Sequence, residues 1–124
     1  MFKVTNTPGA PAAIGPYSQA ISCNAFLFAS GQIPLIPETG EIAGDTIETQ
    51  AEQVMKNISA ILKENDISFK NVVKTTCFLS DMGNFAKFNQ IYGQYFISKP
   101  ARSCVAVKDL PKNVLCEVEL IAAL

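Results

Sequence analysis

Two strand-like segments that are apolar on both faces constrain the fold more than any other feature of this sequence. They are AFLFA at 25–29 and VVKTTCFLS at 72–80, where apolar residues occupy both sets of alternating positions. A strand of this kind has to be covered on both sides. Only two amphipathic helices are predicted in the chain, and two helices form one layer. Something else must cover the second face of the sheet, and another copy of the chain is the economical choice.

The order of periodic segments predicts one α+β domain over residues 1–124, arranged β-β-β-α-β-α-β-β. In 46–65, apolar residues recur every three or four positions, and Asp45 or Thr46 can cap the helix. A second helix is predicted over 84–96, with its aromatic residues on one face. Both helices are expected to cover one face of a mixed sheet. Five polar residues of the first helix are predicted to face water: Gln50, Gln53, Lys56, Asn57 and Lys63.

Two hairpins are predicted from the turns. Asn24 lies near the turn between two short strand segments. The last two strands, 101–107 and 114–124, are joined by KDLPKN and are expected to pair in the same way. In that pairing, four residues with chemically active side chains would share one face of the sheet. These residues are Arg102, Cys104, Glu117 and Glu119.

Composition removes several classes of function. The net charge is −1 with no basic block, which disfavours a nucleic-acid partner. No apolar run approaches the length of a membrane span, and the N-terminus lacks the apolar core of a signal peptide. We therefore expect a protein of the cytoplasm without a membrane partner.

The chain has no histidine. This absence excludes Ser-His-Asp triads, Cys-His pairs, HExxH zinc sites and two-histidine ribonuclease mechanisms. Four cysteines are present, but none has the C-x-x-C spacing of a zinc or redox motif, so reduced and buried thiols are expected. Any catalysis has to use carboxylates, Arg or Lys, hydroxyls, backbone groups and ordered water.

Arg102 opens a strand that is predicted to be buried or half-buried, and two interpretations are open. A buried arginine is usually paired with a carboxylate, so a structural ion pair is one interpretation. The other is that its planar, two-pronged donor binds a substrate carboxylate, while a nearby glutamate handles water. The residues alone do not separate the two.

Four further residues have a structural and a functional interpretation. Tyr17 follows a Gly-Pro turn and could pack in the core or line a site. Ser30 and Gly31 end a strand, where a hydroxyl and a bare N–H could bind an oxyanion or simply begin a loop. Asn89 lies on the inner side of the second helix and needs a partner, which a cap, a loop or a ligand could supply.

Taken together, seven stretches in unbroken order resemble the RidA family, also called YjgF/YER057c/UK114. The resemblance runs from about Phe2 to Ala123. The stretches are GPYSQA, ASGQIPL, PETGEI, KTTCFLSDM, N-x-x-Y, PARSCV, and LP followed by CEVELIA.

The resemblance implies a homotrimer whose subunits have a chorismate-mutase-like fold, with clefts between subunits. It further implies hydrolysis of 2-imino acids, or their enamine tautomers, to 2-oxo acids and ammonia, with no metal or cofactor. Such intermediates come from pyridoxal-phosphate enzymes such as serine and threonine dehydratases.

The resemblance also implies roles for individual residues. Arg102 would bind the substrate carboxylate, Glu117 would hold water, and Cys104 would act through its backbone. The remaining positions of the implied cleft are Tyr17, Ser30, Gly31 and Asn89. The link FISKP at 96–100 looks shorter than is common in the family, which predicts an altered rim of the cleft.

Two rival functions remain open from the sequence. The first is a binding module that senses 2-oxo acids or other small metabolites with the same Arg102. The second is ribonuclease activity or translational inhibition, which has been attached to family names. The missing histidine and the slightly acidic charge argue against the second.

Overall fold

The computed structural model describes residues 2–124 and confirms the predicted order of elements. The two helices are α1 (Ile47–Glu64) and α2 (Phe85–Tyr95). The six strands are β1 (Phe2–Thr5), β2 (Ala20–Cys23), β3 (Phe26–Gln32), β4 (Val72–Leu79), β5 (Ala101–Ala106) and β6 (Cys116–Ala123).

All six strands form one mixed sheet in the order β1-β2-β3-β6-β4-β5. Only β4 and β5 run parallel, and the other neighbours are antiparallel. The predicted hairpin between β2 and β3 is confirmed, and Asn24 adopts a left-handed φ of 56° in its turn. The predicted α+β class with a mixed sheet is therefore correct.

The predicted hairpin between β5 and β6 is wrong. β4 lies between these strands, pairing in parallel with β5 and antiparallel with β6. The chain reaches β5 from β4 through α2, and such a helical crossover joins parallel neighbours. The shared face is wrong too. Arg102 and Cys104 align with Thr75 and Cys77, whereas Glu117 and Glu119 align with Phe78 and Thr76, on the opposite face.

The core lies between the two helices and one face of the sheet. Thr46 caps α1 as predicted, because its hydroxyl accepts a hydrogen bond from the N–H of Thr49. The predicted apolar face of α1 is buried, and so are Phe88, Tyr92 and Phe96 on the inner side of α2 and at its end. Within residues 2–124, neither helix is long and apolar enough to cross a membrane.

Two of the polar residues expected to face water are buried instead. Gln50 accepts a hydrogen bond from the N–H of Leu115 at 2.7 Å, next to the start of β6. Asn57 donates to the carbonyls of Ile33 and Leu35 at 3.1 and 3.0 Å. These side chains satisfy backbone groups of irregular segments packed on α1, and a buried polar group needs such partners. The expectation of water-facing side chains was wrong for both.

The other face of the sheet is uncovered in a single copy. β3 presents Phe26 and Phe28 on this face and the edge strand β5 presents Val105, each close to half exposed, and β1 adds Phe2 and Val4. A contiguous apolar surface of this kind marks an interaction site. The second open face inferred from the strand sequences is therefore confirmed.

Candidate functional site

Arg102 is held at the start of β5 by α2. Its Nη1 donates a hydrogen bond to Oδ1 of Asn89 at 2.7 Å. The guanidinium carbon also lies 4.7 Å from the ring centre of Tyr92 and 5.5 Å from that of Phe85. Arginine stacks well on aromatic faces, so one amide and two rings fix the position of this cation.

Arg102 has no carboxylate partner in the part of the chain that the structure describes. The one ion pair there joins Lys87 to Glu48 at 4.0 Å, on the outer surface of the helices. The interpretation of Arg102 as half of a structural ion pair is therefore wrong for a single chain. A guanidinium carries five N–H donors, and Asn89 takes one of them, which leaves donors for an anion. Arg102 is thus the partner that the side chain of Asn89 needs.

A cavity of about 450 Å³ lies beside Arg102. Four residues of the short link at 96–100 line its wall together with α2, which fits the prediction that this link shapes a rim. Lys99 adopts a left-handed φ of 54° within the link. The cavity is lined by Asn89, Tyr92, Gly93, Phe96, Ile97, Lys99, Pro100 and Arg102.

Cys104 lies two residues from Arg102 on the helix side of the sheet and packs half-buried against the core. Burial raises the pKa of its thiol, and the charge of Arg102 offsets only part of this rise. Burial also raises the pKa of Cys77 and Cys116 to about 12. All four cysteines are free, but only Cys77 and Cys116 are buried, so the expectation of buried thiols was wrong for Cys23 and Cys104. A thiol that stays protonated is a poor nucleophile, which favours a backbone role for Cys104.

The other candidate residues line a second cavity, of about 610 Å³. Its polar groups come from Tyr17, from Ser30 and Gly31 at the end of β3, from Glu117 on β6 and from Lys112. Exposed Ile14 and the loop residues Ile33 and Leu35 add apolar walls. The structure therefore brings four of the seven predicted site residues together here.

Ser30 and Gly31 form a β-bulge between β3 and β6. Ala29 pairs with Leu120 and Gln32 with Val118, so two residues of β3 lie opposite one residue of β6. The N–H of Ser30 donates to the carbonyl of Gln19 at 3.0 Å. Its hydroxyl donates to the carbonyl of Ser18 at 2.6 Å, which leaves the oxygen as an acceptor for a ligand. Bulges often re-aim side chains next to sites.

The carboxyl group of Glu117 lies against Gly31. A Cβ at position 31 would collide with Oε2 of Glu117, so any other residue here would displace this carboxylate. Glu117 forms no ion pair among the described residues. Burial raises the pKa of its carboxyl, and the nearby charge of Glu119 raises it further. An unpaired carboxyl with a raised pKa suits general acid–base chemistry.

Tyr17 is 53% exposed, so the interpretation of its ring as a core residue is wrong. Its N–H donates to the carbonyl of Gly15, whose φ of +133° favours glycine. Gln19, which sequence reasoning missed, fixes the segment: its amide donates to the carbonyls of Thr7 and Pro11, and its oxygen accepts from the N–H of Thr7. The position of Gln19 within the GPYSQA stretch was the feature of the sequence that could have identified it.

The two groups of candidate residues do not meet in one chain. Arg102 lies opposite Thr75 and Glu117 opposite Phe78, on either side of β4. Strand spacings place their backbones roughly 14 Å apart, and the side chains leave opposite faces of the sheet. A single chain therefore carries two partial sites, one cationic and one with a carboxyl.

Residues 7–124 match the sequence profile of a family described as Endoribonuclease L-PSP. The match spans nearly the whole chain and includes all seven stretches that carried the resemblance. The chain belongs to this family, the RidA (YjgF) family.

Relatives within the RidA family carry different names. AldR of Lactococcus lactis, named as a candidate regulator, is 60% identical over 122 residues, which cover 98% of this chain and 97% of AldR. The chloroplastic Reactive Intermediate Deaminase A of Arabidopsis thaliana is 48% identical, over 98% of this chain and 66% of the plant protein. The structure of E. coli TdcF with bound serine superposes with a TM-score of 0.93 at 41% identity, covering 98% of both chains. The fold is thus that of the RidA family.

Proposed function

We propose that this chain deaminates reactive 2-imino acids, or their enamine tautomers, to 2-oxo acids and ammonia. The observation that carries the proposal is Arg102, a positioned guanidinium without a carboxylate partner in its own chain. Such a group is suited to a carboxylate-bearing ligand. The named activity of the Arabidopsis relative and the serine bound to TdcF support the same substrate class.

We further propose a homotrimer in which Arg102 of one copy meets Glu117 of a neighbouring copy in a cleft. Two observations support it. The apolar sheet face is uncovered in a single chain, and the two partial sites lie on opposite faces of one sheet. The cytoplasmic location expected from the sequence stays a prediction.

In the proposed reaction, Arg102 holds the substrate carboxylate by two parallel hydrogen bonds. The carboxylate of Glu117 takes a proton from a water molecule, and the water oxygen forms a bond to the carbon of the protonated imine. The carbinolamine nitrogen then gains a proton from Glu117, and the C–N bond breaks. Loss of the hydroxyl proton completes the 2-oxo acid, and ammonia leaves as ammonium in balance with the protonated imine.

The remaining candidates position the reactants in this scheme. Asn89 holds Arg102 through its carbonyl oxygen. Ser30 offers an acceptor to the imine N–H, since its own proton goes to Ser18. The exposed ring of Tyr17 closes the cleft, and Cys104 contributes its backbone.

A coupled assay tests the proposal. Threonine dehydratase generates the imine in the presence of semicarbazide, which traps it, and release of 2-oxobutanoate is followed. The native chain should speed release. Arg102→Ala should lose at least about 30-fold, because removal of a charged hydrogen-bond partner costs about 2 kcal/mol or more. Lys87→Ala removes an exposed cation of α2 outside both cavities and is the matched control.

A binding module is the second candidate, favoured by the regulator-like name of AldR. It would use the same Arg102 and differ only in turnover. If several imine precursors give no acceleration while 2-oxo acids bind in an Arg102-dependent way, the enzyme proposal fails and the binding module replaces it.

A further inference from the structure

We propose that the cavity beside Arg102 is a subsite for the substrate side chain, opened by Gly93 and the 96–100 link to bulky apolar groups. This inference rests on the proposed function and names its substrate class: 2-imino acids with side chains larger than ethyl. It concerns a different part of the chain from the cavity that holds Glu117.

The position of the cavity relative to Arg102 carries the first step. Arg102 and Asn89 are among the residues that line it. In a 2-imino acid, the side chain and the carboxylate are attached to the same carbon. A carboxylate on Arg102 therefore leaves the side chain within reach of the cavity. A volume of about 450 Å³ lies in the range of small-molecule pockets and far exceeds what a methyl group fills.

The nature of the walls carries the second step. Tyr92 and Phe96 are largely buried and present ring surface, and Pro100 adds an apolar edge. Ile97, which is 76% exposed, adds an aliphatic side chain to the lining. Such walls favour an apolar occupant.

Gly93 carries the third step. It lies inside α2, where glycine is the poorest helix former after proline. Nothing lies within 4 Å of a Cβ built at this position, and its φ is not left-handed, so neither packing nor backbone geometry requires glycine. Gly93 is among the residues that line the cavity, so a side chain at this position would border it. Glycine at this position lowers the helix propensity of α2 and leaves space in the cavity beside Arg102.

Lys99 suggests a different ligand group for this cavity, a second carboxylate. Lys99 lines the same cavity, and a second carboxylate on the substrate would suit it. Four apolar residues against one exposed lysine favour the apolar side chain. A preference for a dicarboxylic acid would overturn the inference.

The test compares preferences between substrates. L-amino-acid oxidase with catalase supplies imines from alanine, leucine and phenylalanine, and semicarbazide competes as before. For Gly93→Leu, the kcat/KM ratio of the phenylalanine-derived to the alanine-derived imine should fall about tenfold or more. Gln94→Leu places the same side chain on the exposed neighbouring position, outside the cavity, and should keep the native ratio.

A binding measurement separates this inference from the proposed function. Calorimetry gives the Kd of 2-oxobutanoate, phenylpyruvate and 2-oxoglutarate for the same variants. If Gly93→Leu weakens phenylpyruvate selectively, the subsite stands even without turnover. If the native chain turns over imines but Gly93→Leu changes neither ratio beyond twofold, the subsite is overturned while the function stands. Tightest binding of 2-oxoglutarate, lost in Lys99→Ala, overturns it as well.

Discussion

At the scale of single residues, Arg102 and Glu117 stand out because they are partly buried and yet form no ion pair within the described chain. Arg102 is stacked on Tyr92 and bound to an amide, and Glu117 lies half-buried against Gly31. Partly buried charges without ionic partners cost stability, so a fold retains them where they do chemistry. Both residues line cavities.

Glu117→Gln should raise stability and abolish turnover together. The pKa of Glu117 is raised in the folded chain, so its ionised form is disfavoured there and opposes folding above its ordinary pKa. Gln removes that charge, so the free energy of unfolding should rise at pH 7, and the gain should vanish below about pH 4. Loss of the acid–base group should lower kcat about 100-fold or more.

Urea denaturation at both pH values and the coupled assay measure these effects. Glu41→Gln, an exposed change in the loop between β3 and α1, is the control and should alter neither. A Glu117→Gln chain that is less stable at pH 7 and still active would contradict the assigned role.

Glu119→Gln should move the acid limb of the pH–rate profile. The negative charge of Glu119 helps to raise the pKa of Glu117. Its removal should lower that pKa, so the Glu117 carboxylate persists to lower pH, and kcat/KM should hold to a lower pH than in the native chain. Profiles measured between pH 4 and pH 8 check this. A shift to higher pH would show that a group other than Glu117 controls the limb.

At the scale of elements, sequence periodicity was sufficient to predict those helices and turns that depend on contacts between residues close in sequence. The apolar repeats predicted α1 and α2, and Asn24 predicted the turn between β2 and β3. The pairing of β5 could not be found in this way, because its partner β4 is separated from it by a helix. The same error placed Arg102 and Glu117 on one face, so the predicted arrangement of these candidate residues was wrong.

Buried amides on α1 show a second limit of patterning. Gln50 and Asn57 follow the polar stripe of the helix, yet their partners are backbone groups of irregular segments, which periodicity does not describe. Backbone carbonyls of a loop packed against a helix need hydrogen-bond donors, so polar side chains are found on the inner face of the helix.

Asn57→Ala should destabilise the chain by about 2 kcal/mol, because the Leu35 carbonyl loses the donor that Asn57 supplies and the Ile33 carbonyl keeps only the N–H of Leu35. Ile33 and Leu35 line the cavity that contains Glu117, so turnover should fall as well. Lys56→Ala, at the exposed neighbouring position, should stay within about 0.5 kcal/mol. Chemical denaturation measures the difference. Equal effects of the two changes would mean that Asn57 does not fix the loop.

At the scale of the whole molecule, the uncovered sheet face and the divided site have one common explanation. The open face carries Phe28 and Val105, and Glu117 lies on that side of the sheet while Arg102 lies on the other. Association through this face would cover the apolar surface and bring the carboxyl of one copy toward the guanidinium of another. Folding and the assembly of the site would then depend on the same apolar contacts.

Complementation between two inactive variants tests this arrangement directly. Arg102→Ala retains Glu117, and Glu117→Gln retains Arg102, so each homo-oligomer should be inactive. In a cyclic assembly with random mixing, about one quarter of the clefts combine native Arg102 of one copy with native Glu117 of its neighbour. Co-expression of the two variants should therefore restore about a quarter of native turnover.

The same two proteins, purified separately and assayed without exchange of subunits, provide the control and should show no recovery. Light scattering on the mixed sample checks that the oligomer formed. Oligomers of mixed composition without recovered turnover would place Arg102 and Glu117 in separate sites, because a shared cleft between copies has to regain both groups in some assemblies. Recovery near one quarter would instead require that each reacting cleft be built from two chains, since no single chain in the mixture holds both residues.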